Sequence, residues 1–145
     1  MISNSKKKQA SSLIWEAWQN GHALKEFPEE LEPSNRLEAY QIQMEYAGFS
    51  SKPIFGWKIA ATSEAGQKHI GVSVPIAGLL LRENIYTSGS KLIFENNRMA
   101  VAEPEFAFSM GKRLEPKQGL YNENEVLEAI DKLYLAIELP NSRFE

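Results

Sequence analysis

The chain has 145 residues, 43% hydrophobic and 24% charged, with seven Phe and three Trp. That is the composition of one soluble globular domain with enough apolar side chains for a core. A net charge of −3 gives no electrostatic footprint for nucleic acid, and the lack of cysteine excludes disulfides, thiolate metal sites and a cysteine nucleophile.

The first half reads as helical. Residues 7–20 form an amphipathic pattern with Leu13, Ile14, Ala17 and Trp18 on one side and Gly21 as the stop. A polar connection over 22–33 contains Pro28 and Pro33. Asn35 with Glu38 then makes a capping-box pattern for a second helix, in which Leu37, Tyr40, Met44 and Ala47 recur at helical spacing before Gly48.

From Pro53 the pattern turns to strands. Residues 53–60 predict a strand with Lys58 inside it, and Thr62 or Ser63 caps a short helix through Ile70. Gly71 to Gly78 reads as a turn-rich loop, Leu79–Leu81 as a short apolar piece and 91–94 as a strand followed by an Asn-Asn turn. A long strand reaches Met110, where Gly111 breaks it. Asn122 with Glu125 repeats the capping box for a helix to about Ile130, and a last strand stops at Pro140. The predicted class is α+β, N-terminal helices followed by a mixed β-sheet. The helical segment covers 1–50 and the β-rich part 51–145. No apolar stretch approaches the roughly 18 residues of a membrane span, and the N-terminus has no signal-peptide pattern. The expectation is a cytoplasmic protein with neither a membrane nor a nucleic-acid partner.

The chemistry concentrates in the last two strands. Glu103 and Glu105 interrupt the apolar run from Val101 to Met110, and Glu138 interrupts the run from Leu133 to Leu139. Residues two apart on a strand share a face, so Glu103 and Glu105 project side by side. Like charges about 4 Å apart repel by roughly 4 kcal/mol at an effective dielectric near 20, and half-burial adds desolvation. A Glu-x-Glu pair on a strand is ordinarily a solvated face. Here the opposite face, with Ala102, Phe106, Phe108 and Met110, has the character of core, and the second strand carries its own acid. A divalent cation relieves both penalties, and hard oxygen donors suit magnesium, manganese or calcium.

Lys58 is the other candidate. An ammonium within an apolar strand either snorkels from an edge or meets an anion or a proton-transfer partner. His22 and His69 lie in plain polar contexts, and the chain carries neither a nucleophile elbow nor a nucleotide-binding glycine motif.

Four motifs occur together in order: Gly56-Trp-Lys-Ile-Ala-Ala-Thr62, Gly71-Val-Ser-Val-Pro75, Glu103-Pro-Glu105 and Ala136-Ile-Glu138-Leu-Pro-Asn-Ser-Arg143. In this order and spacing the chain resembles the 2-keto-4-pentenoate hydratases of the fumarylacetoacetate hydrolase superfamily, over nearly its whole length. The resemblance implies the first half of that superfamily's β-roll, with 51–145 as the first part of the catalytic domain. It also implies a magnesium or manganese site on Glu103, Glu105 and Glu138, and Lys58 as a catalytic proton-transfer or binding group beside the substrate.

The implied reaction is hydration of a 2-hydroxy-2,4-dienoate to a 4-hydroxy-2-oxo acid in aromatic catabolism, by a homo-oligomer acting on a small 2-oxo acid or its dienol. Decarboxylation of the 4-oxalocrotonate type uses the same electron sink, whereas fumarylacetoacetate-type carbon–carbon hydrolysis, the other alternative, would also want a histidine–carboxylate pair that neither His22 nor His69 offers. A chain persisting only through association is the non-catalytic alternative. Ile76, just past Pro75, stands where many of these hydratases carry an acid, and leaves the acid–base partner of Lys58 unassigned. Members of the family are also considerably longer. The expectation is therefore an incomplete domain, oligomeric through exposed strand edges or marginally folded, with little turnover by itself.

Overall fold

Ser3 opens the first helix by accepting the Lys6 N–H on its side chain, so α1 (Asn4–Gln19) begins a turn earlier than its apolar pattern suggests. The computed structural model describes residues 2–145. The buried positions of α1 are Ala10, Ser11 and Ala17. These small side chains let α2 (Arg36–Ala47) approach closely, and the Ser11 hydroxyl donates to the Ile42 carbonyl at 2.7 Å. Ala10, Ile42 and Leu31 form a core cluster with Ile2 and Phe27 against it. Leu31 comes from a 3-10 turn, Glu29–Leu31, inside the polar connection. Leu13, Ile14 and Trp18 are half-buried beside this core, and the Trp15 ring packs against Trp18, Tyr46 and Phe49 at centroid distances of 5.0, 5.3 and 6.0 Å.

The Asn35 side chain caps α2 as expected, accepting the Glu38 N–H at 3.0 Å. The Glu38 carboxylate reaches past the cap, to the Ser34 hydroxyl at 2.7 Å, the Ser34 N–H at 3.0 Å and the Ile2 N–H at 2.8 Å. These donors, the Ser34 hydroxyl foremost, hold its pKa down at about 2 although burial pushes the other way. Because the folded value lies below the usual 4.5, the contribution of this network is complete above that pH and is lost as pH falls toward 2. Glu38→Gln is therefore expected to be less stable than wild type at neutral pH. Urea melts at a series of pH values should show the gap closing between about 4.5 and 2.

β1 (Ile54–Ala60) pairs antiparallel with β2 (Ile76–Leu81), with Lys58 opposite Gly78. Between them α3 (Glu64–Ile70) starts from Ser63, whose side chain accepts the Gly66 N–H, and ends at Gly71 with φ 72°. The stretch expected as a loop to Gly78 is thus strand from Ile76 onward. Gly78 is not a turn residue but an unsubstituted strand position. Lys91 to Phe94 form no strand, because local β propensity makes a strand only where a partner strand pairs with it.

The α2 side chains of Tyr40 and Gln43 hold the backbone of β2. The Ala77 N–H donates to the Tyr40 hydroxyl at 3.1 Å, the Gln43 amide donates to the Ala77 carbonyl at 3.3 Å, and the Leu79 N–H donates to the Gln43 Oε1 at 2.9 Å.

The chain forms two compact units, one running through Asn96 and including Arg143–Glu145, the other Asn97–Ser142. In the first, Leu24 makes a parallel bridge to Phe144, with Leu24 N–H to the Arg143 carbonyl at 2.7 Å and Glu145 N–H to the Leu24 carbonyl at 3.0 Å. In the second, β3 (Glu103–Met110) pairs antiparallel with β4 (Ile130–Glu138), with a register shift between Ser109 and Met110. Between them α4 (Glu123–Leu127) carries the expected capping box, both reciprocal bonds formed by Asn122 and Glu125. The α+β order of helices followed by antiparallel sheets stands. Among the described residues no helix is long and apolar enough to cross a membrane.

One expectation fails in this unit. Phe106 and Phe108 do lie opposite the glutamates, but they are exposed, as are Leu133, Leu135 (84%) and Ile137 (72%) on the same face. A sheet buries apolar side chains only against another layer, and among the described residues none covers this one.

Candidate metal centre

The register of the β3–β4 ladder brings the three glutamates together. Glu103 stands directly opposite Glu138, and Glu105 opposite Ala136. Directly opposed residues share a face with Cβ atoms about 5 Å apart, and Glu105 follows Glu103 on that face by strand alternation. One carboxylate oxygen from each of the three lies within 4.8 Å of the other two. Glu103 and Glu138 are half-buried and Glu105 is exposed. Next along this face come Ala136 and Ala107, whose methyl groups leave the carboxylates uncrowded, then Tyr134 opposite Ala107 and Lys132 opposite Ser109.

The donor set is uniform: three hard carboxylate oxygens, with neither sulfur nor imidazole. Small, hard divalent cations take one or a few carboxylates and keep their remaining positions for water or substrate oxygens. Three carboxylate oxygens within 4.8 Å of one another on one sheet face fit that demand. Glu103 and Glu138 are directly opposed, and like charges so placed across a ladder repel each other.

Lys58 belongs to the other unit, on β1, and is half-buried. Its aliphatic stem lies over Gly78: a Cβ built there would sit 2.8 Å from Lys58 Cγ and 3.3 Å from Cδ. The missing side chain of Gly78 is thus the space that the Lys58 stem occupies. Gly78→Ala should lower stability by about 1–3 kcal/mol, the usual effect of overpacking. In urea melts most of that loss should disappear in a Lys58→Ala background, because the clash partner is gone.

Sequence reading missed the residues that tie the site end of the ladder. Asn97 Oδ1 accepts the Met99 N–H at 3.1 Å and the Ala100 N–H at 2.8 Å, while Asn97 Nδ2 donates across to the Pro140 carbonyl at 3.0 Å. In the reverse sense, the Arg98 N–H donates to Asn141 Oδ1 at 2.9 Å. The local half of this was legible, since asparagine commonly bonds the backbone two residues on. The crossing to Pro140 depends on the ladder and leaves no local signal.

With this geometry in place, comparison with known proteins gives one direction. The chain is similar to a hydratase. It is 28% identical over 139 residues to the TodF product hydratase of Pseudomonas putida strain F1, covering 94% of this chain and 51% of that protein. The chain therefore spans about half the length of that relative. No family model matches the chain.

Proposed function

We propose that the chain carries the cation-binding part of a divalent-metal-dependent hydratase, which adds water to a 2-hydroxy-2,4-dienoate of the 2-keto-4-pentenoate type in aromatic catabolism. The observation that carries this reading is the convergence of Glu103, Glu105 and Glu138 within 4.8 Å, and similarity to a named hydratase supports it. In this reading the segment 51–145 is the first part of the catalytic domain, and the assembly is a cytoplasmic homo-oligomer.

Glu103, Glu105 and Glu138 hold magnesium or manganese. Bound there, the cation supplies Lewis-acid polarisation of the substrate's carboxylate and 2-oxygen. The chain's own contribution is to concentrate three negative charges on one strand face. Lys58 serves as the proton carrier: in the net reaction the 2-hydroxyl proton is lost, C3 and C5 each gain a hydrogen and C4 gains the hydroxyl of water. A lysine side chain can give and take a proton as a positioned general acid or base.

The test is turnover of 2-hydroxypenta-2,4-dienoate by a full-length protein that includes this chain, with magnesium and with a chelator. Formation of 4-hydroxy-2-oxopentanoate that stops on chelation is the expected result. Chelator-insensitive turnover overturns the metal assignment. Release of carbon dioxide from a vinylogous oxo acid, without hydration, moves the assignment to a decarboxylase.

A further inference from the structure

We propose that Asn97 is a positioning residue for the carboxylate triad, an inference that rests on the cation-site reading above. Glu103 is the first residue of β3 and Glu138 the last of β4, so their pairing is the terminal rung of the ladder. Terminal rungs open most readily.

Beyond the rung the two chains stay joined by side-chain bonds. Asn97 Nδ2 reaches the Pro140 carbonyl, two residues after Glu138, and Asn141 Oδ1 takes the Arg98 N–H. The same Asn97 side chain collects the Met99 and Ala100 N–H groups and so fixes the approach to β3. That approach includes Ala100 at φ 50°, a left-handed conformation that a non-glycine residue rarely adopts. Such strain persists only where its surroundings over-determine it. Asn97 thus does two separable things: its oxygen shapes the turn into β3, and its NH2 group bonds the β3 side to the β4 side next to the acids. The second sets the separation of Glu103 from Glu138, on which a shared cation depends.

The two roles part in Asn97→Asp, which keeps the acceptor for Met99 and Ala100 but has no donor for Pro140. Its added negative charge would by itself strengthen cation binding, so a weaker site cannot come from charge. Manganese alone is the probe, titrated into the folded protein and followed by the electron paramagnetic resonance signal of the free ion, with thermal melts in parallel.

Asn97→Asp should retain a melting temperature close to wild type and bind manganese about tenfold more weakly, the low end for groups that orient metal ligands. Asn97→Ala should lose both the affinity and part of the stability. Wild-type affinity in Asn97→Asp overturns the proposal, as does an Asn97→Ala protein that melts earlier yet binds manganese normally. Failure of the wild-type chain to bind manganese removes the cation site itself, and this proposal with it. An unaltered Asn97→Asp beside a binding wild type removes only the role of Asn97.

Discussion

Magnesium or manganese should raise the unfolding free energy of the wild-type chain by about 2.7 kcal/mol at a hundredfold excess over its dissociation constant, and should do little for Glu103→Gln. The increment follows from mass action, because an ion that needs three oxygens within 4.8 Å of one another finds that arrangement only in the folded ladder. Glu103 is the variant of choice. It stands directly opposite Glu138, so an amide there removes a ligand and also relieves the repulsion across the rung. In the absence of metal Glu103→Gln should therefore be at least as stable as wild type, and only with metal should the order reverse. That crossing distinguishes a metal ligand from a residue needed merely for folding. Thermal melts of both proteins with and without the ion provide the measurement. No shift with either ion in wild type, or an equal shift in both proteins, sinks the site.

In a full-length protein that includes this chain, Lys58→Met should lower turnover of the dienoate at least about a hundredfold, the low end of what general acid–base catalysis contributes, and leave manganese affinity largely intact. Methionine keeps an unbranched stem over Gly78 and removes only the charged, proton-bearing end, so packing against β2 should survive. A substitution with near-normal turnover would return Lys58 to the role of an edge lysine whose head lies in solvent. A large fall in both turnover and manganese binding would show that the loss is not one of proton transfer alone.

What the sequence discloses depends on how local the physics is. The caps at Asn35, Ser63 and Asn122 were readable because a capping side chain bonds its own chain two or three residues on. The shared face of Glu103 and Glu105 was readable because strand alternation is local too. The direct opposition of Glu103 and Glu138 was not, since register is a property of two strands at once. Gly78 was misread for a related reason. Glycine is a turn signal in isolation, and here its meaning comes from the lysine across the ladder. Phe106 and Phe108 show the same limit on the scale of packing: alternation assigns a side chain to a face, but whether another layer covers that face depends on what packs against it.

The hold of α2 on β2 has a consequence for assembly. An antiparallel strand lengthens a sheet by offering its own N–H and C=O groups to an open edge. At Ala77 both groups, and at Leu79 the N–H, are already engaged by the Tyr40 hydroxyl and the Gln43 amide. The Gln43 side chain, with one donor and one acceptor, occupies the place a neighbouring peptide unit would take. An incoming extended segment, from this chain or another copy, is therefore refused along that stretch of β2 unless α2 first lets go. Gln43→Glu would keep the acceptor for Leu79 and lose the donor to Ala77, freeing the Ala77 carbonyl for an incoming strand.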